Sequence, residues 1–264
     1  MNTHTTALII GAGGGIGRPL CLALARQGVQ VLLAGRKQNV LEALHQDMTE
    51  NTHNPHRILV ADICTDEGRA TLISAARDFQ ASLIINLSGI NQLTSFQQQE
   101  SNAVKHTIET NLLAPMLLTH GLLPVMQNSH HQQPQIIHIG STLGSIGMPG
   151  YTSYCSSKFG LYGFTQALSR ELSDQPVRIR YFAPRTTKTD INSEAANDLN
   201  AALGNTSDSP ETVAHELISF IATPAQNKYL GWPEKLFIKL NAVWPELVSQ
   251  QLRKKLPLIR QYIG

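Results

Sequence analysis

The stretch Ala7-Leu8-Ile9-Ile10-Gly11-Ala12-Gly13-Gly14-Gly15-Ile16-Gly17 decides how this chain is read. Four apolar residues form a short strand covered on both faces. Glycines follow, and a helical pattern opens at once over 16–27. Glycine allows positive φ and removes the Cβ that would stand between the backbone and a ligand. A helix start offers free N–H groups and the positive end of the helix dipole. Strand, glycine turn and helix together make a seat for a pyrophosphate. Gly11, Gly13, Gly14, Gly15, Ile16 and Gly17 are the candidate contacts in that seat.

Further along, short apolar runs at 29–34, 57–61, 82–86, 135–140 and 177–182 read as strands. Between them lie amphipathic stretches at 38–50, 66–79, 105–127, 152–173 and 211–222, which read as helices. Each connection is long enough for a crossover, so the strands can run parallel. Right-handed crossovers then give an α/β, Rossmann-type, doubly wound parallel sheet with helices on both faces. Residues 1–227 read as one dinucleotide-binding and catalytic domain, and 228–264 as an amphipathic extension of it. The polar segment 186–209 reads as a substrate lid.

Ligands of such sheets bind beyond the carboxyl ends of the strands. The second strand ends at Arg36, where an acidic residue would bind the ribose 2′-OH of NAD. An arginine there suits the 2′-phosphate of NADP. NADP(H) is therefore the preferred cofactor, with NAD(H) the second choice. The third strand ends at Asp62-Ile63. The Asp62 carboxylate can accept from an adenine amino group or cap the next helix. At the fourth strand end, Asn86 is a candidate cofactor-site residue that ties strands together rather than touching substrate, and Gly89 lets the backbone approach a cofactor.

Ser141 follows the fifth strand, and Tyr154 and Lys158 lie four apart on one helix face. An ammonium beside a phenol favours the phenolate and lowers its pKa, and Ser141 can bond the same substrate oxygen. The three form a proton-transfer device for a carbonyl/alcohol pair.

Composition narrows the alternatives. The chain has 264 residues, 42% hydrophobic and 15% charged, with net charge +2. That argues for a globular domain and against a nucleic-acid partner. Three scattered cysteines fit a reducing compartment, and no His/Cys set has metal-ligand spacing. The first residues do not read as a signal peptide, so a cytoplasmic protein is expected.

Gly11-x-x-x-Gly15-x-Gly17, Asn86-x-x-Gly89, Asn111, Ser141 and Tyr154-x-x-x-Lys158 resemble the short-chain dehydrogenase/reductase family over about residues 5–190. The resemblance implies about seven parallel strands and a catalytic tetrad of Asn111, Ser141, Tyr154 and Lys158. It also implies cofactor contacts by Tyr154, Lys158, Pro184 and Thr189, and a homodimer or homotetramer built through the helices near 105–127 and 152–173. Arg185 stands where the family usually has glycine, and could meet an acidic or thioester substrate. Within this reading the substrate is a small carbonyl or alcohol, and an apolar or acyl compound is a further expectation. A 3-oxoacyl-thioester reductase and a silent NADP(H)-sensing or scaffold protein remain open alternatives.

The tail carries Leu236, Phe237, Leu240, Val243, Trp244, Leu247 and Val248 at helical spacing, with basic residues beside them. Pro245 and Pro257 are expected to break it into pieces. It reads as packing over the pocket or a subunit, or as an interfacial helix giving peripheral contact with anionic lipid.

Overall fold

The computed structural model describes residues 5–52, 54–131 and 133–263. The polar start of the chain, read above as no signal peptide, lies mostly outside them. Seven strands form one sheet: β1 (Thr6–Ile10), β2 (Gln30–Gly35), β3 (Arg57–Val60), β4 (Leu83–Asn86), β5 (Gln135–Ile139), β6 (Arg178–Ala183) and β7 (Asn227–Tyr229). Their order is β3-β2-β1-β4-β5-β6-β7, with every pair parallel. The strand order reverses between β1 and β4. That crevice is where a doubly wound sheet receives its ligand.

Alternation along β1 assigns its side chains to two cores. Ala7 and Ile9 join the layer of α1 (Gly17–Arg26), α2 (Gln38–Asn51) and α8 (Pro210–Ile221), with Leu20, Leu24, Leu44 and Leu217. Leu8 and Ile10 join the layer of α3 (Asp66–Asp78) and α5 (Ala114–Gln127), with Leu72, Leu118 and Leu122. Removing such a buried leucine side chain typically costs about 2–5 kcal/mol.

Local signals set the helix starts. Thr65 caps α3 by accepting from the Gly68 N–H, and Ser209 caps α8 ahead of Pro210. The helix expected over 105–127 is in fact α4 (Ser101–Ile108), a π-turn (Glu109–Leu113) and α5. Residues 152–173 form α6 (Thr152–Glu171). The segment expected to be a lid contains a helix, α7 (Glu194–Ala202).

The boundary drawn at 228 falls within β7, which is too short to carry a recognisable pattern. The tail is two helices, α9 (Glu234–Val243) and α10 (Pro245–Arg260). Pro245 begins α10 as expected. Pro257 does not break it: the helix runs on to Arg260.

Candidate active site

The glycine turn is tightly built. Gly11 has φ +81°, and its N–H and that of Ala12 both donate to the Ala34 carbonyl, at 2.9 and 3.1 Å. A Cβ on Gly17 would strike the carbonyls of Gly11 and Ala12, and one on Gly13 would meet Val40 Cγ1 at 2.6 Å. A Cβ on Gly15 would run into Thr189. Thr189 of the lid therefore rests on the turn.

Ile16 precedes α1 without a side-chain cap. Among the described residues, the N–H groups of Gly13, Gly15, Ile16 and Gly17 have no protein acceptor. This is a cradle of unpaired donors at a helix start, kept open by missing side chains, and it fits a pyrophosphate.

Arg36 projects exposed beyond β2. No hydrogen bond or ion pair engages it among the described residues. Asp62 does not cap α3, since Thr65 does. Its Oδ1 accepts from the Cys64 N–H at 2.9 Å, closing a tight turn, and Ile63 is buried below it. Asn86 is likewise occupied locally: its Oδ1 accepts from the Ser88 N–H at 3.0 Å and from the Ser88 hydroxyl. Pro184 is buried, and its carbonyl accepts from the Thr142 N–H at 3.3 Å.

Beyond β4, a Cβ on Gly89 would sit 3.4 Å from Asn111 Oδ1 and 3.6 Å from Lys158 Nζ. Gly89, Asn111 and Lys158 thus share one small space. Asn111 is fully buried in the π-turn. Its Oδ1 accepts from the Ile90 N–H at 2.8 Å, and its Nδ2 donates to the Ile90 carbonyl at 2.9 Å and to Ser157 Oγ at 3.1 Å. The side chain clamps the loop after β4 onto α6.

Lys158 Nζ is buried and donates to the Ile139 carbonyl at 3.0 Å. It stands 5.8 Å from the centroid of the Tyr154 ring. Burial lowers the Lys158 pKa to about 8. The phenol departs from expectation: burial pushes Tyr154 up to about 12, against a smaller downward pull from Ser141. The ammonium does not produce the lowering expected from spacing alone. Desolvation prevails, and the phenol carries its proton at neutral pH.

Ser141 is held by its own turn. Its Oγ accepts from the Leu143 N–H at 3.1 Å, and its N–H donates to Tyr181 Oη at 3.3 Å. Sequence reasoning missed Tyr181. The visible signal was the glycine pair around Ser141: a Cβ on Gly140 or Gly144 would collide with the Tyr181 phenol. His138 was also missed. It is buried on β5, and burial together with the Lys158 charge lowers its pKa to about 4, so it is neutral.

Arg185, offered above as a partner for an acidic or thioester substrate, is engaged within the protein. Its guanidinium grips both Asp208 oxygens, at 2.9 and 2.7 Å, and lies 3.7 Å from Glu234. It ties the lid's base to α9. The roof over Tyr154 is apolar instead. Leu143, Met148 and Tyr151 meet Leu199 of α7 and Ile259 and Ile263 from the end of the tail. Tail packing over the site was one of the sequence alternatives.

Residues 5–200 match the family described as short chain dehydrogenase. The chain belongs to that family. It is accordingly an NAD(P)-dependent oxidoreductase acting on the CH–OH/C=O pair. A 3-oxoacyl-(acyl-carrier-protein) reductase of Rickettsia bellii is 27% identical over 230 residues, spanning 85% of this chain and 91% of that one. Nodulation protein G of Rhizobium sp. (strain N33) is 31% identical over 184 residues, or 69% and 73% of the two chains. A short chain dehydrogenase from Burkholderia cenocepacia J2315, solved in complex with NADP, superposes with a TM-score of 0.79 at 20% identity. That match covers 96% of this chain and 99% of the other.

Proposed function

We propose that this short-chain dehydrogenase is an NADP(H)-dependent carbonyl reductase, with Tyr154 as the general acid and an apolar carbonyl compound as substrate. One observation carries the reading: a half-buried phenol that keeps its proton lies beside the Lys158 ammonium, 5.8 Å from the ring centroid, and the backbone at Gly89 passes close to that same ammonium. The open donors of Gly13, Gly15, Ile16 and Gly17 would hold the pyrophosphate. Arg36 would pair with the 2′-phosphate and favour NADP over NAD. Asp62 keeps one carboxylate oxygen for the adenine side. Thr189 and Pro184 would border the nicotinamide end, and Lys158 its ribose. When bound, the dinucleotide supplies the hydride.

The chain's own residues manage the proton. Ser141 orients the carbonyl oxygen toward the phenol. Tyr154, holding its proton firmly, gives it up only as negative charge develops on that oxygen. Lys158, with its lowered pKa, is well placed to replace the proton, and Asn111 fixes the loop that closes this relay. The same groups run backward for an alcohol.

Leu199, Met148, Ile259 and Ile263 around Tyr154 support an apolar or lipid-like substrate. The match to a 3-oxoacyl-(acyl-carrier-protein) reductase supports acyl thioesters as a second reading, although Arg185 is already committed to Asp208. Exposed Leu113 of the π-turn, Leu117 of α5 and Phe159 of α6 suit a homodimer or homotetramer.

The test is Tyr154→Phe, assayed by NADPH absorbance against a panel of ketones, aldehydes and 3-oxoacyl thioesters. Cofactor binding should persist while kcat falls about 10²–10⁴-fold. Turnover at the parent rate would remove Tyr154 from the acid role.

A further inference from the structure

The tail has a second face that the active site does not use. Trp232 is 73% exposed and Trp244 is 59% exposed, and Leu236, Phe237, Val243 and Leu247 are exposed as well. Six large apolar side chains therefore lie open within sixteen residues. Along α9, Leu236, Leu240 and Val243 fall on one stripe, with Phe237 beside it. Lys235 and Lys239 border that stripe. On α10, Lys254 lies two turns beyond Leu247 on the same side.

Residues 234–260 hold six basic and two acidic side chains, so this segment is net +4 in a chain whose total is +2. One acid, Glu234, already faces Arg185. The other end of the tail is pinned, with Ile259 fully buried and the Ile263 carbonyl accepting from the Ser95 N–H at 3.1 Å. The hairpin is thus fixed to the roof of the site while its apolar face stays uncovered.

We propose that the α9–α10 hairpin docks on an anionic lipid bilayer, with Trp232, Phe237, Val243, Trp244 and Leu247 in the headgroup boundary. Lys235, Lys239 and Lys254 then meet anionic headgroups. Among the described residues no helix is long and apolar enough to cross a membrane, so the contact is one of surface docking. Tryptophan suits that boundary because one end of its ring is apolar and the other donates a hydrogen bond. The charge pattern favours lipid over a second copy, since an equally basic hairpin would repel this one. Docking would bring the roof formed by Ile259 and Ile263 near the source of an apolar substrate. The proposal itself needs no catalysis.

The two tryptophans of the chain, Trp232 and Trp244, both lie in this patch, so intrinsic fluorescence reports on it directly. The full-length protein is mixed with phosphatidylcholine vesicles containing or lacking 30% phosphatidylglycerol, then followed by emission and by flotation. A blue shift and co-flotation with the anionic vesicles are expected, both weakened at high salt. Trp244→Ser should weaken vesicle binding roughly tenfold. Reversing Lys239 to glutamate should weaken it about fivefold or more on anionic vesicles only. Both variants should reduce a water-soluble ketone at the parent rate.

An unshifted emission with no flotation overturns the proposal. So does a blue shift that grows with protein concentration, without vesicles, as the mass doubles, because that assigns the face to a second copy. Equal binding to neutral and anionic vesicles removes the role given to the lysines. Vesicle binding by a protein that reduces no carbonyl would fault the proposed function and leave this proposal standing.

Discussion

Replacing Lys158 with methionine separates what this side chain does for chemistry from what its burial does to the fold. Desolvation holds the Lys158 pKa at about 8, against 10.5 for a solvated lysine. Between those values the unfolded chain binds more protons than the folded one, so stability rises with pH through that window. Below pH 8 the whole penalty is present. It amounts to about 3 kcal/mol near pH 7 and to about half of that at pH 9.5. Methionine has a similar length and no charge to desolvate, but it forfeits the bond to the Ile139 carbonyl. That loss offsets about 1.5–2 kcal/mol. The cofactor-free variant should therefore be more stable than the parent by roughly 1 kcal/mol at pH 7, and the margin should vanish or reverse by pH 9.5. Urea unfolding at the two pH values measures it. Carbonyl reduction should meanwhile fall about a hundredfold or more. A margin that stays constant or grows with pH would refute the reasoning, since burial would then not be what holds the lysine's pKa down.

Three other outcomes are expected. Arg36→Glu should shift the NADPH/NADH preference in kcat/KM by about 10–100-fold toward NADH, and an unchanged ratio would free Arg36 of its role. Gly17→Ala should destabilise the chain by about 1–3 kcal/mol and abolish dinucleotide binding, because its Cβ meets backbone oxygens that cannot yield; calorimetric titration with NADPH checks this. Arg185→Ala leaves Asp208 and Glu234 without their cation, and should cost about 1–3 kcal/mol while raising hydrogen exchange in the lid. If only surface-like effects below about 0.5 kcal/mol appear, the ion pair does not hold the lid.

The sheet was legible because its strands are buried on both faces. Residues such as Leu8 and Ile9 serve opposite layers, which writes a continuous apolar run into the sequence. The crevice was legible because glycine marks backbone approach, and each glycine from Gly13 to Gly17 guards a specific clearance. What escaped was set by tertiary context. β7 offers three residues and no periodicity. The π-turn at Asn111 breaks a pattern that reads as one helix. Arg185 and Asp208 pair across 23 positions of lid, and spacing could not reveal that. The Tyr154 pKa went the other way because the lysine's proximity was visible in i, i+4 spacing whereas the depth of burial was not. Thr65 was an available cap signal, and Asp62 drew attention only because it ended a strand.

The five-residue turn that carries Asn111 has a cost that helical regularity would remove. It is one residue longer than an ordinary turn, which offsets α4 against α5 by about 100°. Deleting a single residue between Glu109 and Leu113 would let one unbroken rod form, with better-aligned backbone bonds. It would also swing the amide away from Ile90 and Ser157, releasing the loop that shelters Lys158. A sturdier helix would thus come with a loosened loop beside Lys158, and this irregularity is one that attempts to stabilise the protein should leave alone.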